Sequence, residues 1–158
     1  MLMHEREKFE TGYEKYADLL YRVAYSYLKN ADDAEDAVHD TFIKYMHHLF
    51  AFRDESHERA WLIRVTVNRC KDLLKHPSHA SLEEAEELAA PQEESSVQQA
   101  LSVLSEPYRI PIILHYLEGF DVREIAKILN CSESAVKMRL MRGRTMLKDI
   151  IEKENRDV

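Results

Sequence analysis

The chain has 158 residues, 45% hydrophobic and 32% charged, which fits a folded globular protein and excludes a disordered one. Three Gly and four Pro are too few to turn the many short strands of a sandwich or barrel, so the composition predicts an all-α fold. Two Cys without a CxxC spacing, an N-terminus without a signal-peptide core and no apolar run near about 18 residues exclude a disulfide scaffold and a membrane span, and point to a reducing, cytoplasmic setting.

Residues 9–28 are expected to form the first helix, because Phe9, Tyr13, Tyr16, Leu20, Val23 and Tyr27 recur at alternating spacings of four and three. A second helix is expected over 32–49, with Ala34, Val38, Phe42, Tyr45 and Leu49 on one side. Asp32, Asp33, Glu35 and Asp36 crowd its first turn, where the helix dipole favours negative charge. Residues 51–58 read as a polar break. A third helix over 59–75 has an apolar strip of Ile63, Val67, Cys70 and Leu74 beside a polar strip of Arg64, Asn68, Lys71 and Lys75. Three such helices can bury one small core.

Pro77 stops the third helix. Residues 76–96 contain two Pro and six Glu and read as a linker, with a transient helical turn near 82–88. Helical periodicity resumes over 97–118, where Pro107 suits a first turn, Pro111 falls inside the second helix and Gly119 is a C-cap. Asp121 caps a short helix over 122–129, Asn130-Cys131-Ser132 forms a turn, and 133–152 is the last helix. A short helix, a three-residue turn and a basic helix have the form of a helix-turn-helix. Two small helical domains, 1–75 and 97–158, on either side of an acidic linker are therefore expected.

The formal net charge of −7 argues at first against a nucleic-acid partner. Its distribution argues otherwise: residues 1–75 carry net −2, residues 76–96 net −6 and residues 97–158 net +1. What a polyanion feels is the field within about 10 Å. Two basic clusters stand out: Arg59, Arg64, Arg69, Lys71 and Lys75 against Asp72 alone, and Lys137, Arg139, Arg142, Arg144 and Lys148 without an acid among them. Either cluster taken alone is equally well a solvated helix face.

The last helix is more specific. Val136, Leu140, Gly143, Leu147 and Ile150 share its core side, and Ser134, Met138, Met141 and Thr145 the opposite side. Lys137, Arg144 and Lys148 flank that outer face on one edge, with Arg139 and Arg142 toward the other. Such a cylinder fits the major groove of B-DNA, its centre meeting base edges and its cations the phosphates. Trp61, the single Trp, heads the third helix, and either packs in the core or, with Asn68 and Lys71, meets unpaired bases.

The segments YRVAYSYLKNADDAEDAVHDTFIKYM and AWLIRVTVNRCKDLLK together resemble region 2 of bacterial RNA polymerase sigma factors of the extracytoplasmic-function (ECF) type, group IV of the sigma-70 family. LSVLSEPYRIPIILHYLEGFDVREIAKILNCSESAVKMRLMRGRTMLK resembles their region 4. The resemblance implies a protein that binds core RNA polymerase, brings it to promoters and melts the −10 element, usually restrained by an anti-sigma factor that is often membrane-anchored. It places polymerase docking on Asp36, Asp40, Phe42, Ile43 and Met46. It places −10 contacts on Phe52 and Arg53 of a base-capturing loop spanning 52–58, and on Trp61, Arg64, Asn68 and Lys71. It places −35 reading on Ser134, Lys137, Met138, Met141 and Arg142, with Arg139 and Arg144 beside them. The acidic linker would mimic nucleic acid in the polymerase's basic RNA path. Met138 stands where the family commonly has a small hydroxyl residue, Ser134-Ala135 where it has Gly-Thr, and Gly143 where it has Ala. The Met pair at 138 and 141 favours apolar contacts such as thymine methyls.

No catalytic motif of the HExxH, phosphate-loop or G-x-S-x-G kind occurs, so an enzyme is not expected. Neither a metal nor a cofactor is expected either: Cys70, His76 and His79 lack a fourth ligand and read as a core thiol and linker histidines. A small-molecule substrate and direct membrane insertion are likewise not expected. The competing readings are a sigma mimic that sequesters an anti-sigma factor and a stand-alone helix-turn-helix repressor. The first does not need a basic reading helix, and the second leaves Trp61 and the linker unexplained.

Overall fold

The computed structural model describes residues 2–75 and 96–156. Among them every regular element is helical: α1 (Met3–Leu28), α2 (Ala31–Met46), α3 (Glu55–Lys75), α4 (Ser96–Val103), α5 (Glu106–Ile112), a π-helical turn (Ile113–Leu117), α6 (Val122–Leu129) and α7 (Glu133–Arg156). The chain divides into two compact units, 1–85 and 86–158. No helix among the described residues is long and apolar enough to cross a membrane. The expected linker and its helical turn, together with His76 and His79, lie outside the described residues apart from Ser96, which opens α4.

In the first unit α1, α2 and α3 pack pairwise. Leu20, Val23 and Tyr27 from α1, Ala34 and Val38 from α2, and Leu62, Ile63, Val67 and Cys70 from α3 form the core. Full burial of side chains such as Leu20, Leu62 and Ile63 contributes about 1.5–3 kcal/mol each. Thr41 and Thr66 meet inside it, their hydroxyls 3.0 Å apart. Each hydroxyl also lies 2.9 Å from the carbonyl four residues back, so neither buried hydroxyl lacks a partner.

The helices differ from the expected bounds for local reasons. α1 starts at Met3 rather than 9, because its charged first turns are stabilised by Glu5 accepting from the Leu2 amide and by the Arg6–Glu10 pair. α2 ends at Met46 instead of 49, where the His47 amide reaches back to Lys44 and Tyr45. Leu49 is still buried, but from the loop. α3 starts at Glu55, not 59, because Asp54 Oδ1 accepts from the His57 amide at 2.8 Å and caps it. Glu58, expected in a polar loop, is therefore helical and only 7% exposed. Leu74, expected on the apolar strip, is exposed because it lies past the end of the packed core.

In the second unit α4, α5 and α6 all pack on α7. Pro107 sits in the first turn of α5 and Pro111 inside it, buried. Pro111 offers no amide hydrogen, and the chain then widens into the π turn, whose Ile113 carbonyl accepts from the Glu118 amide. That widening was not visible in the sequence pattern. Gly119 follows with φ of +77°, the left-handed cap expected there. Gly143 lets α7 approach α5 closely: a Cβ there would lie 2.6 Å from Ile112 Cδ1. Arg109 is 6% exposed and donates to the Leu104 carbonyl at the end of α4, at 2.6 Å.

Candidate polymerase and nucleic-acid interfaces

Three surfaces carry the residues singled out in the sequence. The first lies between α1 and α2, a groove of about 850 Å³. Asp36, Ile43 and Met46 line it from α2, and all three are exposed. Phe42 does not project with them. It is 3% exposed, its ring held by Tyr13 at 4.8 Å and Tyr45 at 5.9 Å, so it forms the floor of the groove and belongs to the core. Asp40 does not line the groove; it accepts from Arg69 Nε at 2.7 Å, tying α2 to α3. The sequence reading missed the α1 wall, where Phe9, Tyr13 and Tyr21 line the same groove. Tyr13 is 49% exposed, although its stripe had placed it in the core.

The second surface surrounds the loop 47–54. Phe52 is half-buried, stacked on Tyr45 at 6.1 Å and tilted against Trp61 at 5.3 Å. Trp61 also meets His48 at 5.2 Å. Trp61 is thus neither fully buried nor free; it walls the loop. Arg64, Asn68, Lys71 and Lys75 continue from Trp61 along one face of α3 at alternating spacings of three and four, with Lys71 half-buried and the other three exposed. Arg53 is exposed in the loop itself, and its amide donates to His57 Nδ1 at 3.2 Å.

Beneath this loop lies a polar network that the sequence did not reveal. Glu58 accepts from the Tyr45 hydroxyl at 2.9 Å and pairs with Lys8 at 3.6 Å, while Lys15 pairs with Glu55. Tyr45 has its phenol pushed well above the ordinary range, by burial first and then by Glu58. Tyr16 behaves likewise, through burial and the nearby Glu58 charge. Gly12 makes room for the Tyr45 ring.

The third surface is the outer face of α7. Asp121 accepts from the Glu124 amide at 2.8 Å, and Glu124 returns a bond to Asp121, a capping box that starts α6. Asn130 ends it in the left-handed conformation, and Ser132 caps α7 by accepting from the Ala135 amide at 3.0 Å. Val136, Leu140 and Gly143 are buried, Gly143 against Ile112 and Tyr108 of α5, while Leu147 and Ile150 are half-buried. That leaves Ser134, Lys137, Met138, Met141, Arg142 and Arg144 exposed, with Met141 at 56%. Arg139 is half-buried, its guanidinium 3.7 Å from Cys131 Sγ. Arg144 donates to Tyr116 Oη at 2.7 Å. Lys137 and Arg142 have no ion-pair partner among the described residues. Cys70, the proposed core thiol, is fully buried.

Residues 13–78 match the sigma-70 region 2 family and residues 94–147 the sigma-70 region 4 family. Two relatives match across nearly the whole chain. The ECF RNA polymerase sigma factor SigM of Mycobacterium tuberculosis is 28% identical over 155 residues, 93% of this chain and 79% of that protein. SigW of Bacillus subtilis, also an ECF sigma factor, is 27% identical over 166 residues, 91% of this chain and 89% of that protein. The chain belongs to the ECF sigma factors. The fold of this sigma factor matches solved sigma structures. CnrH, solved in complex with the cytosolic domain of CnrY, is 27% identical with a TM-score of 0.67, covering 92% of this chain and 88% of that one. Bartonella quintana RpoE, solved with the anti-sigma factor NepR, shares the fold at a TM-score of 0.68, 24% identity, and 91% and 96% coverage. An ECF sigma factor directs transcription initiation by RNA polymerase, and that is the function of this chain.

Proposed function

We propose that the two units divide promoter recognition between them. The exposed face of α7 reads the −35 element: Ser134, Met138 and Met141 meet base edges, and Lys137, Arg139, Arg142 and Arg144 meet phosphates. The loop 47–54, with Phe52 and Arg53, captures a base of the −10 element. Trp61, Arg64, Asn68 and Lys71 hold the separated strand, stacking and hydrogen bonds offsetting the few kcal/mol of unstacking. Asp36, Ile43 and Met46, over the Phe42 floor, dock on core RNA polymerase. Asp40 acts through its pair with Arg69, holding α2 and α3 in register. The domains fall at 1–75 and 97–158, with 76–96 as the connection that enters the polymerase's RNA path. The protein works in the cytoplasm, restrained by an anti-sigma factor that holds it at the membrane.

The observation that carries this reading is the state of the cations. Arg64 on α3 and Lys137 and Arg142 on α7 are exposed, and Lys71 on α3 half-buried, all without an acidic partner among the described residues, whereas Arg69, Lys8 and Lys15 each pair with a carboxylate of the first unit. Unpaired cations on two separate units suit two separate stretches of DNA.

The test is reconstitution. The pure protein is mixed with sigma-free bacterial core polymerase, and transcription is run on fragmented genomic DNA of the source. A stable complex with discrete start sites is expected, and sequences upstream of those sites give the two promoter elements. Absence of a complex, with tight duplex binding by the protein alone, would favour a repressor; absence of both would favour a mimic.

A further inference from the structure

We propose that Tyr116 is a positioning residue for Arg144, holding that guanidinium ready for the −35 duplex. The inference rests on the assignment of α7 to the −35 element and extends it to a residue outside the helix-turn-helix.

Tyr116 lies in the π turn, whose Ile113 and Leu114 are buried while the Tyr116 ring is 52% exposed. The ring is not loose. It meets His115 edge-on with centroids 4.8 Å apart, and His115 Nδ1 lies 2.8 Å from the Phe120 carbonyl. The π turn thus sets a phenol at a fixed place beside α7. Its hydroxyl accepts from Arg144 Nη1 at 2.7 Å, across 28 residues of sequence.

The chemistry of this bond differs from that of the neutralised cations. Asp40 gives Arg69 a carboxylate and compensates its charge. A phenol gives Arg144 one lone pair and no charge. Arg144 keeps its full positive charge and four of its five N–H groups for a phosphate. On one edge of α7, Lys137 and Arg144 stand two turns apart, and Lys148 follows, 4.0 Å from Glu152. Arg144 is therefore the ordered but uncompensated cation of that edge. An exposed, neutral-acceptor bond of this kind adds little to folding. Its consequence falls on binding, because an arginine already held in place loses less rotamer freedom when it meets DNA.

The test uses holoenzyme assembled from core polymerase and the full chain, on a promoter fragment recovered by the reconstitution above. Tyr116→Phe, Arg144→Ala and the double variant are compared by promoter affinity across a salt series. Tyr116→Phe is expected to weaken binding about two- to tenfold with an unchanged salt slope, since no cation is lost. Arg144→Ala is expected to weaken it further and to reduce the slope by about 0.9. In the Arg144→Ala background Tyr116→Phe should then have no effect, with thermal midpoints by circular dichroism unchanged. Independent, additive losses would overturn the positioning role, as would an inert Tyr116→Phe beside a weakened Arg144→Ala. An inert Arg144→Ala would overturn both this inference and the assignment of Arg144 to DNA.

Discussion

Gly12→Ala sets two effects against each other at one atom. In an open helix interior, Ala is more stable than Gly by about 1 kcal/mol, so the change would help. Gly12 is buried, and a Cβ there would lie 2.7 Å from both Cε2 and Cζ of Tyr45, and closer still to the hydroxyl. Ordinary contact needs about 3.5 Å, so the ring must retreat by close to an ångström. Tyr45 is fully buried and has no free end to swing. Its hydroxyl also donates to Glu58 at 2.9 Å, a bond that such a retreat breaks. Overpacking costs about 1–3 kcal/mol, and losing a hydrogen bond to a buried carboxylate about 1.5–3 kcal/mol. After the helix gain, the net destabilisation is about 1.5–5 kcal/mol. Trp61 is the single Trp and sits in the first unit, so its fluorescence during urea unfolding of the full chain follows that unit. Thr11→Ala, at the neighbouring exposed position, should stay within about 0.5 kcal/mol of the parent. In a Tyr45→Phe background the penalty of Gly12→Ala should shrink. A Gly12→Ala protein as stable as the parent would refute the close packing of α1 on Tyr45.

The raised Tyr45 and Tyr16 phenols make the first unit sensitive to alkali: their stabilisation is full below the unfolded value near 10 and is lost as pH rises above it. Trp61-monitored stability should fall in that window, and less steeply in Tyr45→Phe; equal slopes would refute the role of Tyr45. Asn68→Ala should impair open-complex formation, read by permanganate reactivity of unpaired thymines, more than closed-complex binding; equal losses would remove Asn68 from strand capture. Lys137→Ala with Arg142→Ala should weaken −35-dependent binding. If the four cations of α7 assigned to phosphates give a salt slope of about −3.6, the double change should bring it to about −1.8, and an unaltered footprint and slope would refute both contacts.

Much of the functional surface was legible because helical periodicity is a local property. Spacings of three and four placed Ser134, Met138 and Met141 opposite Val136 and Leu140 without knowledge of what either face meets, and the structure leaves the first three exposed and buries the other two. Caps are local as well: Asp121 and Gly119 act within a few residues of themselves. Periodicity is blind to how wide a buried stripe is. Tyr13 and Phe42 lie on the inner sides of α1 and α2, yet Tyr13 walls the groove while Phe42 floors it. Leu74 keeps the rhythm of α3 past the point where another of the described helices covers it.

The amino-acid sequence by itself determined the helices, the helix-turn-helix and the outward basic faces, since each follows from neighbours within one or two turns. Only the tertiary structure decided which charges remain available. Asp40 and Arg69 are 29 positions apart, Tyr45 and Glu58 13, and Arg144 and Tyr116 28. Whether such a pair meets depends on how helices cross and where a loop turns, and no local pattern encodes that. The packing therefore separates neutralised Arg69 from unpaired Lys137 and from Arg144, which is held yet fully charged.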